Sequence, residues 1–356
     1  MDSLARMYAK AGQIEQAIQL DEQGLQLRKD KLGLDHRETL KNMYFLADEY
    51  REMGRFAEAE ALFRENLKLD KNSLGASIEL ARVLLEWANA DTSNPARAQE
   101  RAAEGEQLAR DYLPKARLRY TNDVAKLEGS LYEVAELRYR QRQYAEAEPL
   151  YRELLQSRHA RRGAEHDDVI GTTASLGRLL ADWAWAERTN IVAAEVTRLA
   201  SSNSQPAATN PAAIDQSLVT SAATVPHERA REAERLLREC LAVRLNGTNA
   251  IHWRVEDIKS RLGGALVSVA VTDRELNAAA RGAKLAEAET LLLEGSERLQ
   301  ASKFADKKYK RDALERLARL YEAWRKPEKL SEWQQKLEAF DKPKTEPSKS
   351  SEQGSR

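Results

Sequence analysis

Cysteine is nearly absent: the 356-residue chain holds one, Cys240. A single thiol excludes an intrachain disulfide framework and any multi-cysteine metal site, and it suits a reducing compartment. Glycine and proline are scarce, at 16 and 9 residues, which argues against a turn-rich sheet protein. Neither charge is in excess, since Lys plus Arg and Asp plus Glu both number 57. A neutral chain has no net field with which to hold a polyanion or approach an acidic lipid surface, so neither nucleic acid nor a membrane is expected as a partner. No stretch approaches the roughly 18 uninterrupted apolar residues of a spanning helix. The opening MDSLARMYAKAGQ has no basic segment followed by an apolar run, so the expected location is cytoplasmic. HExxH, CxxC, GxSxG and GxxxxGK[ST] do not occur either, so no catalytic residue, metal site or cofactor is expected.

What is abundant is repetition. RFAEAEALFRENL (55–67) returns as QYAEAEPLYRELL (143–155), REAERLLRECL (231–241) and LAEAETLLLEG (285–295). Leu4, Ala5, Tyr8, Gly12, Ala17, Leu25 and Gly33 reappear 42 positions later as Leu46, Ala47, Tyr50, Gly54, Ala59, Leu67 and Gly75. Within a unit, Leu40, Met43, Ala47 and Tyr50 form one helical stripe and Ala59, Leu62, Phe63 and Leu67 another. Gly54 between them supplies a backbone turn, so each unit reads as two antiparallel helices. A lone hairpin cannot bury both faces, whereas stacked hairpins can.

The pattern LAxxYxxxGxxxEAxxLF resembles the tetratricopeptide repeat (TPR). The loop KLGLDHRET (31–39), echoed by RRGAEHDDV (161–169), is similar to kinesin-light-chain-type repeats. The resemblance implies an all-α solenoid, a right-handed superhelix of antiparallel helix pairs. Seven hairpins are expected. Arg142 and Arg325 stand where the turn glycine belongs, and the third and fifth hairpins, which share LARVLLEWA and LGRLLADWA, carry insertions before their second helices. The sixth hairpin, SRLGGALVSVA then KLAEAETLLLEG, is also interrupted. The chain divides on this reading into an N-terminal array (1–186), a flexible low-complexity insertion (187–226), a C-terminal array (227–340) and a disordered tail (341–356).

Isolated reactive residues read as structural. His36 and His166 share one loop position and suit helix starts, the Gly263–Gly264 pair suits close helix packing, and Cys240 falls on a core stripe. Asn246-Gly247-Thr248 reads as a turn. Glu60–Arg64, Glu148–Arg152 and Glu234–Arg238 are i, i+4 pairs on solvated faces.

In TPR arrays the first helix of each hairpin lines a concave groove. The resemblance therefore implies groove positions at Lys41, Tyr44, Asp48, Arg51 and Glu52 in the second hairpin, and at Tyr132, Glu136, Tyr139 and Arg140 in the fourth. One register gives Arg6, Asp48, Arg82, Glu136 and Arg178, alternating in sign. That line is either a ladder of interhelix ion pairs or a mixed-charge groove for a protein or peptide ligand. The tyrosine rings are expected off the core stripe. The Lys and Asn pattern that clamps the C-terminal carboxylate of heat-shock chaperones is absent at these positions.

The segments AERLLRECLAVRL, HWRVEDIKSRLGGAL, AEAETLLLEG and ALERLARLYEAWRKPEKLSEWQQKL, in that order, resemble the TPR array that follows the kinase domain in large bacterial serine/threonine kinases. The chain has no GxGxxGxV, VAIK, HRD or DFG, so no kinase chemistry carries over. The expectation is a noncatalytic interaction scaffold, with a serine/threonine kinase domain as a candidate partner in cis or trans. Alternatives are the regulatory fragment of such a kinase, and a helical-repeat enzyme with an unrecognised site.

Overall fold

The 3.6-residue stripes become thirteen helices, with no strand among the described residues. The computed structural model describes residues 4, 5, 7, 8, 13–202, 216–246 and 252–342. The helices are α1 (Ile14–Leu32), α2 (Arg37–Glu52), α3 (Phe56–Leu69), α4 (Leu74–Ala90), α5 (Pro95–Arg119), α6 (Val124–Arg140), α7 (Tyr144–Arg162), α8 (Asp167–Ser202), α9 (Gln216–Asn246), α10 (His252–Thr272), α11 (Ala278–Ala301), α12 (Lys307–Ala323) and α13 (Pro327–Asp341). They fall into two compact units, residues 1–141 and 142–356. In the first unit α2, α4 and α6 are first helices of hairpins and touch in succession; in the second, α8, α10 and α12 do the same.

The hairpin turns follow from local backbone demands. Gly54 takes φ +72°, and the arginines that replace it, Arg142 and Arg325, take φ +59° and +56°. The turn geometry is therefore kept without its glycine, at a cost of about 1 kcal/mol for each side chain in the left-handed region. His36 and His166 cap α2 and α8, each Nδ1 accepting a backbone N–H, from Glu38 at 3.2 Å and from Asp168 at 3.1 Å. Their shared loop position thus has a structural reason. The third hairpin differs from expectation: its extra residues lengthen α5 at its start, because Asn94 caps and Pro95 occupies the first turn.

Helix contacts are set by small residues. A Cβ on Gly263 would lie 2.5 Å from Cγ of Leu292 on α11, and one on Gly177 would lie 2.8 Å from Cγ of Leu237 on α9. The equivalent place in α2 is Ala47, itself fully buried. Phe63 on α3 and Tyr151 on α7, the same position of the repeated phrase, are both wholly enclosed.

The shared LLEWA and LADWA segments build one arrangement twice. Trp87 stacks on Phe56 at 6.3 Å under the Arg101 guanidinium, which also bonds Asp91 at 2.8 Å. Trp183 stacks on Tyr144 at 6.3 Å under Arg229, which bonds Glu187 at 2.6 Å. Each cluster ties three successive helices with an aromatic pair and a cation. Helices α8 and α9 run into the segment read as an insertion, 187–226, from either side; its middle, 203–215, lies outside the described residues, as do the turn at 247–248 and the tail from 343.

Candidate functional site

The first-helix face of unit 1 is a connected polar surface. Arg51 donates to Asp48 through Nε (3.0 Å) and Nη2 (2.7 Å), and through Nη1 to Glu86 of α4 at 3.1 Å. Glu86 in turn accepts from Arg140 of α6 at 3.2 Å. One carboxylate therefore joins arginines of two flanking helices, and the face is crossed from α2 to α6. Arg82 pairs with Glu79 at 3.0 Å. Burial pushes the Glu79 carboxyl up to about 6, although Arg82 pulls it back.

Tyr44 departs from expectation. Its ring meets the fully buried Phe63 edge-on at 5.6 Å and Phe45 at 5.7 Å, and it packs against the core of the unit. Burial first, then the charges of Glu79, Glu133 and Asp48, raise its phenol above the ordinary range. Tyr44 is thus half core and half groove, because α2 rotates its ring over the start of α4, where Gly75 leaves room. Tyr132 and Tyr139 are half-buried, Lys41 and Glu52 are exposed, and Arg140 is exposed but engaged. Glu136 is buried at 5% exposure and Arg178 at 2%, so neither offers an open surface. Arg6 lies outside the described residues.

Between α1 and α2 two carboxyls meet. Asp21 is buried and accepts from Asn42 Nδ2 at 3.3 Å. Burial, followed by the charge and hydrogen bond of Asp21, pushes the Glu49 carboxyl from 4.5 up to about 7. Glu49 therefore keeps its proton well above the ordinary carboxylate range.

In unit 2 the same face is built from arginine. Arg178 of α8, Arg261 of α10, and Arg316 and Arg319 of α12 converge beside Asp182 and Gly264. The Asp48 register, continued along the chain, passes through Arg178, Gly264 and Arg319, since LAD, LGR, LGG and LAR align. That alignment was the signal by which Gly264 and Arg319 could have been found. The acids of unit 1, Glu79, Glu86 and Glu133, carried no comparable motif.

The opposite face answers what the repeated phrase does. All three i, i+4 pairs form, and each arginine also reaches the second helix of the next hairpin. Arg64 bonds Glu104 at 2.8 and 2.7 Å, Arg152 bonds Glu232 at 3.1 and 3.0 Å, and Arg238 bonds Glu287 at 2.9 Å. These ties set repeat against repeat. Cys240 is buried with its thiol directed at the Ile170 carbonyl, and burial pushes its pKa up to about 12, leaving no thiolate at neutral pH.

An all-α stack of hairpins with small residues at its helix crossings defines a helical-repeat protein. Residues 1–72 match the tetratricopeptide repeat family model. A kinesin light chain protein of Podosopora anserina with nearly identical TPR-like repeats is 19% identical, covering 70% of this chain and 95% of its own, at TM-score 0.41. BtubC (BKLC) from P. vanneervenii is 16% identical over 82% of this chain and 91% of its own, at TM-score 0.43. No curated protein matches in sequence.

Proposed function

We propose that the chain is a noncatalytic interaction scaffold that holds a protein or peptide against the first-helix face of unit 1. The observation that supports this most is the line Asp48, Arg51, Glu86, Arg140, whose charges run across three helices, with Asp48, Glu86 and Arg140 partly exposed, while the ring of Tyr44 packs beside them. Such pre-set charge and a rigid aromatic ring suit a partner with matching polar groups, which gains contact without ordering the surface. On this reading the ion-pair ladder lines the groove. Nucleic acid and membrane are not proposed as partners, for want of net charge. No described helix is long and apolar enough to cross a membrane.

A serine/threonine kinase domain is the partner class favoured by the resemblance of about the last 130 residues. The test is affinity capture with the folded chain, repeated with Arg51→Ala/Arg140→Ala. A partner retained by the wild type and lost by the variant, both folded by circular dichroism, supports the reading. Identical captures by the two proteins contradict it. A kinase domain among the lost partners sharpens it, and its absence removes that partner class.

A further inference from the structure

Three side chains of the kinds that bind metals meet at one point of unit 2. His227 stands on α9, Asp273 directly follows α10, and Glu275 lies in the loop to α11; one ligand atom of each is within 4.8 Å of the other two. The backbone beneath them is fixed. Ala184, Ala230 and Val269 form a buried cluster with Leu276 packed against it, which locks α9 and α10 where the three residues emerge. The Asp273 N–H donates to the Val269 carbonyl at 2.9 Å, and Asp273 Oδ1 accepts the Glu275 N–H at 3.0 Å. That turn holds one carboxylate oxygen and leaves the other, Oδ2, facing His227 and Arg231.

The His227 ring carries an unanswered atom. Its Nδ1 is shut from solvent and has no hydrogen-bond partner, although Asp273 Oδ2 stands 3.5 Å away. A charge-assisted hydrogen bond between the two would close to about 2.7 to 2.9 Å. Two ligand atoms that share a tetrahedral zinc ion stand about 3.3 Å apart, because each lies about 2.0 to 2.1 Å from the metal. The spacing found is nearer the second arrangement. A buried ring nitrogen without a partner is costly, and a cation between it and Oδ2 would answer it.

Arg231 already marks a cation position. Its Nη2 lies 2.9 Å from Asp273 Oδ2 and 3.2 Å from Glu275 Oε2, so it answers both carboxylates and leaves Nδ1 bare. The arginine side chain is 51% exposed and free to turn outward, whereas Asp273 is 1% exposed and stays. Exchange of Arg231 for a metal ion therefore needs one surface side chain to move.

We propose that His227 Nδ1, Asp273 Oδ2 and a Glu275 carboxylate oxygen bind a divalent transition-metal ion of the zinc type, with water as fourth ligand and Arg231 displaced to solvent. The imidazole sets the preference, since calcium and magnesium take oxygen donors while zinc accepts both kinds. Bound metal would tie α9 to the turn between α10 and α11. The site belongs to unit 2 and stands whether or not unit 1 binds a peptide.

The experiment frees the full chain of metal with a chelator, removes the chelator, and titrates calorimetrically with Zn²⁺, Mg²⁺ and Ca²⁺. One zinc ion per chain is expected, bound about a hundredfold or more tighter than magnesium or calcium. His227→Gln, and Glu275→Gln at an exposed position, should each weaken zinc binding about tenfold or more. Arg231→Gln removes the internal competitor and should tighten it severalfold, a gain that misfolding cannot imitate. Zinc binding indifferent to His227→Gln and Arg231→Gln, magnesium or calcium binding as tight as zinc, or no saturable zinc binding overturns the proposal.

Discussion

One register of the first helices, three residues ahead of the Asp48 line, reads Phe45, Glu79, Glu133 in unit 1 and Ser175, Arg261, Arg316 in unit 2. The backbone that presents these positions is the same helix-turn-helix, with the same tryptophan clusters and the same arginine ties on its opposite face. The side chains of this row have changed, from Glu79 and Glu133 to the buried Arg261 and Arg316. The difference teaches that the repeat's packing residues and its face residues vary separately. A chain can therefore keep one structural brick and present two distinct surfaces.

If the packing is common to both units, the largest losses should be equal in them. Phe63→Ala and Tyr151→Ala each empty a fully enclosed site and should cost about 3 to 5 kcal/mol. Urea unfolding followed by circular dichroism measures both. A loss under about 1 kcal/mol in either unit would break the equivalence.

The units should differ at their small-residue crossings. Gly263→Ala drives a methyl into Leu292 and should cost about 1 to 3 kcal/mol, relieved by adding Leu292→Ala. Ala47→Gly, the reverse exchange at the equivalent place in α2, should cost about 1 kcal/mol through helix propensity alone. Gains where these losses are expected would show that the crossings are loose.

Unit 1 should carry a proton-linked term from a carboxyl raised by burial. The folded Glu49 carboxyl titrates at about 7, above its ordinary 4.5, so the proton it keeps is stabilising. That stabilisation is complete below about pH 4.5 and is lost as pH rises through about 7. Its size is about 1 to 2 kcal/mol once solvent screening of the half-exposed group is allowed for. Wild type minus Glu49→Gln, measured from pH 4 to 8, isolates this term from that of Glu79. A flat difference would contradict the raised Glu49 carboxyl.

The smallest effects belong to the turns. Arg142→Gly and Arg325→Gly relieve a left-handed side chain and should stabilise by about 0.5 to 1 kcal/mol each. Gly54→Arg in unit 1 should lose a similar amount. Opposite signs would mean that the arginine side chains contribute contacts that outweigh the strain.

Much of the fold was legible because packing is written in apolar spacing. The stripe of Met43, Ala47 and Tyr50, the turn at Gly54 and the enclosed Phe63 all stand where the repeat placed them. The face was only partly legible. Asp48, Arg51, Arg82 and Arg140, named from register, lie in ion pairs on the first helices, whereas Tyr44 packs against the core it was expected to clear, since a helical stripe fixes a residue's direction but not how far its ring leans onto the next helix. Glu86 escaped because its role depends on reaching Arg51 and Arg140, 35 and 54 residues away. The arginine ties from Arg64, Arg152 and Arg238 escaped for the same reason, as their i, i+4 partners already accounted for them.

The central claim is that function lies on the first-helix face and packing on the rest. Its most direct measurement is the affinity of a captured partner for two folded variants, Arg51→Ala/Arg140→Ala on that face and Arg64→Ala on the opposite one. The account predicts a loss of about 2 to 4 kcal/mol for the first and less than about 0.5 kcal/mol for the second. The reverse order, or equal losses, would contradict it.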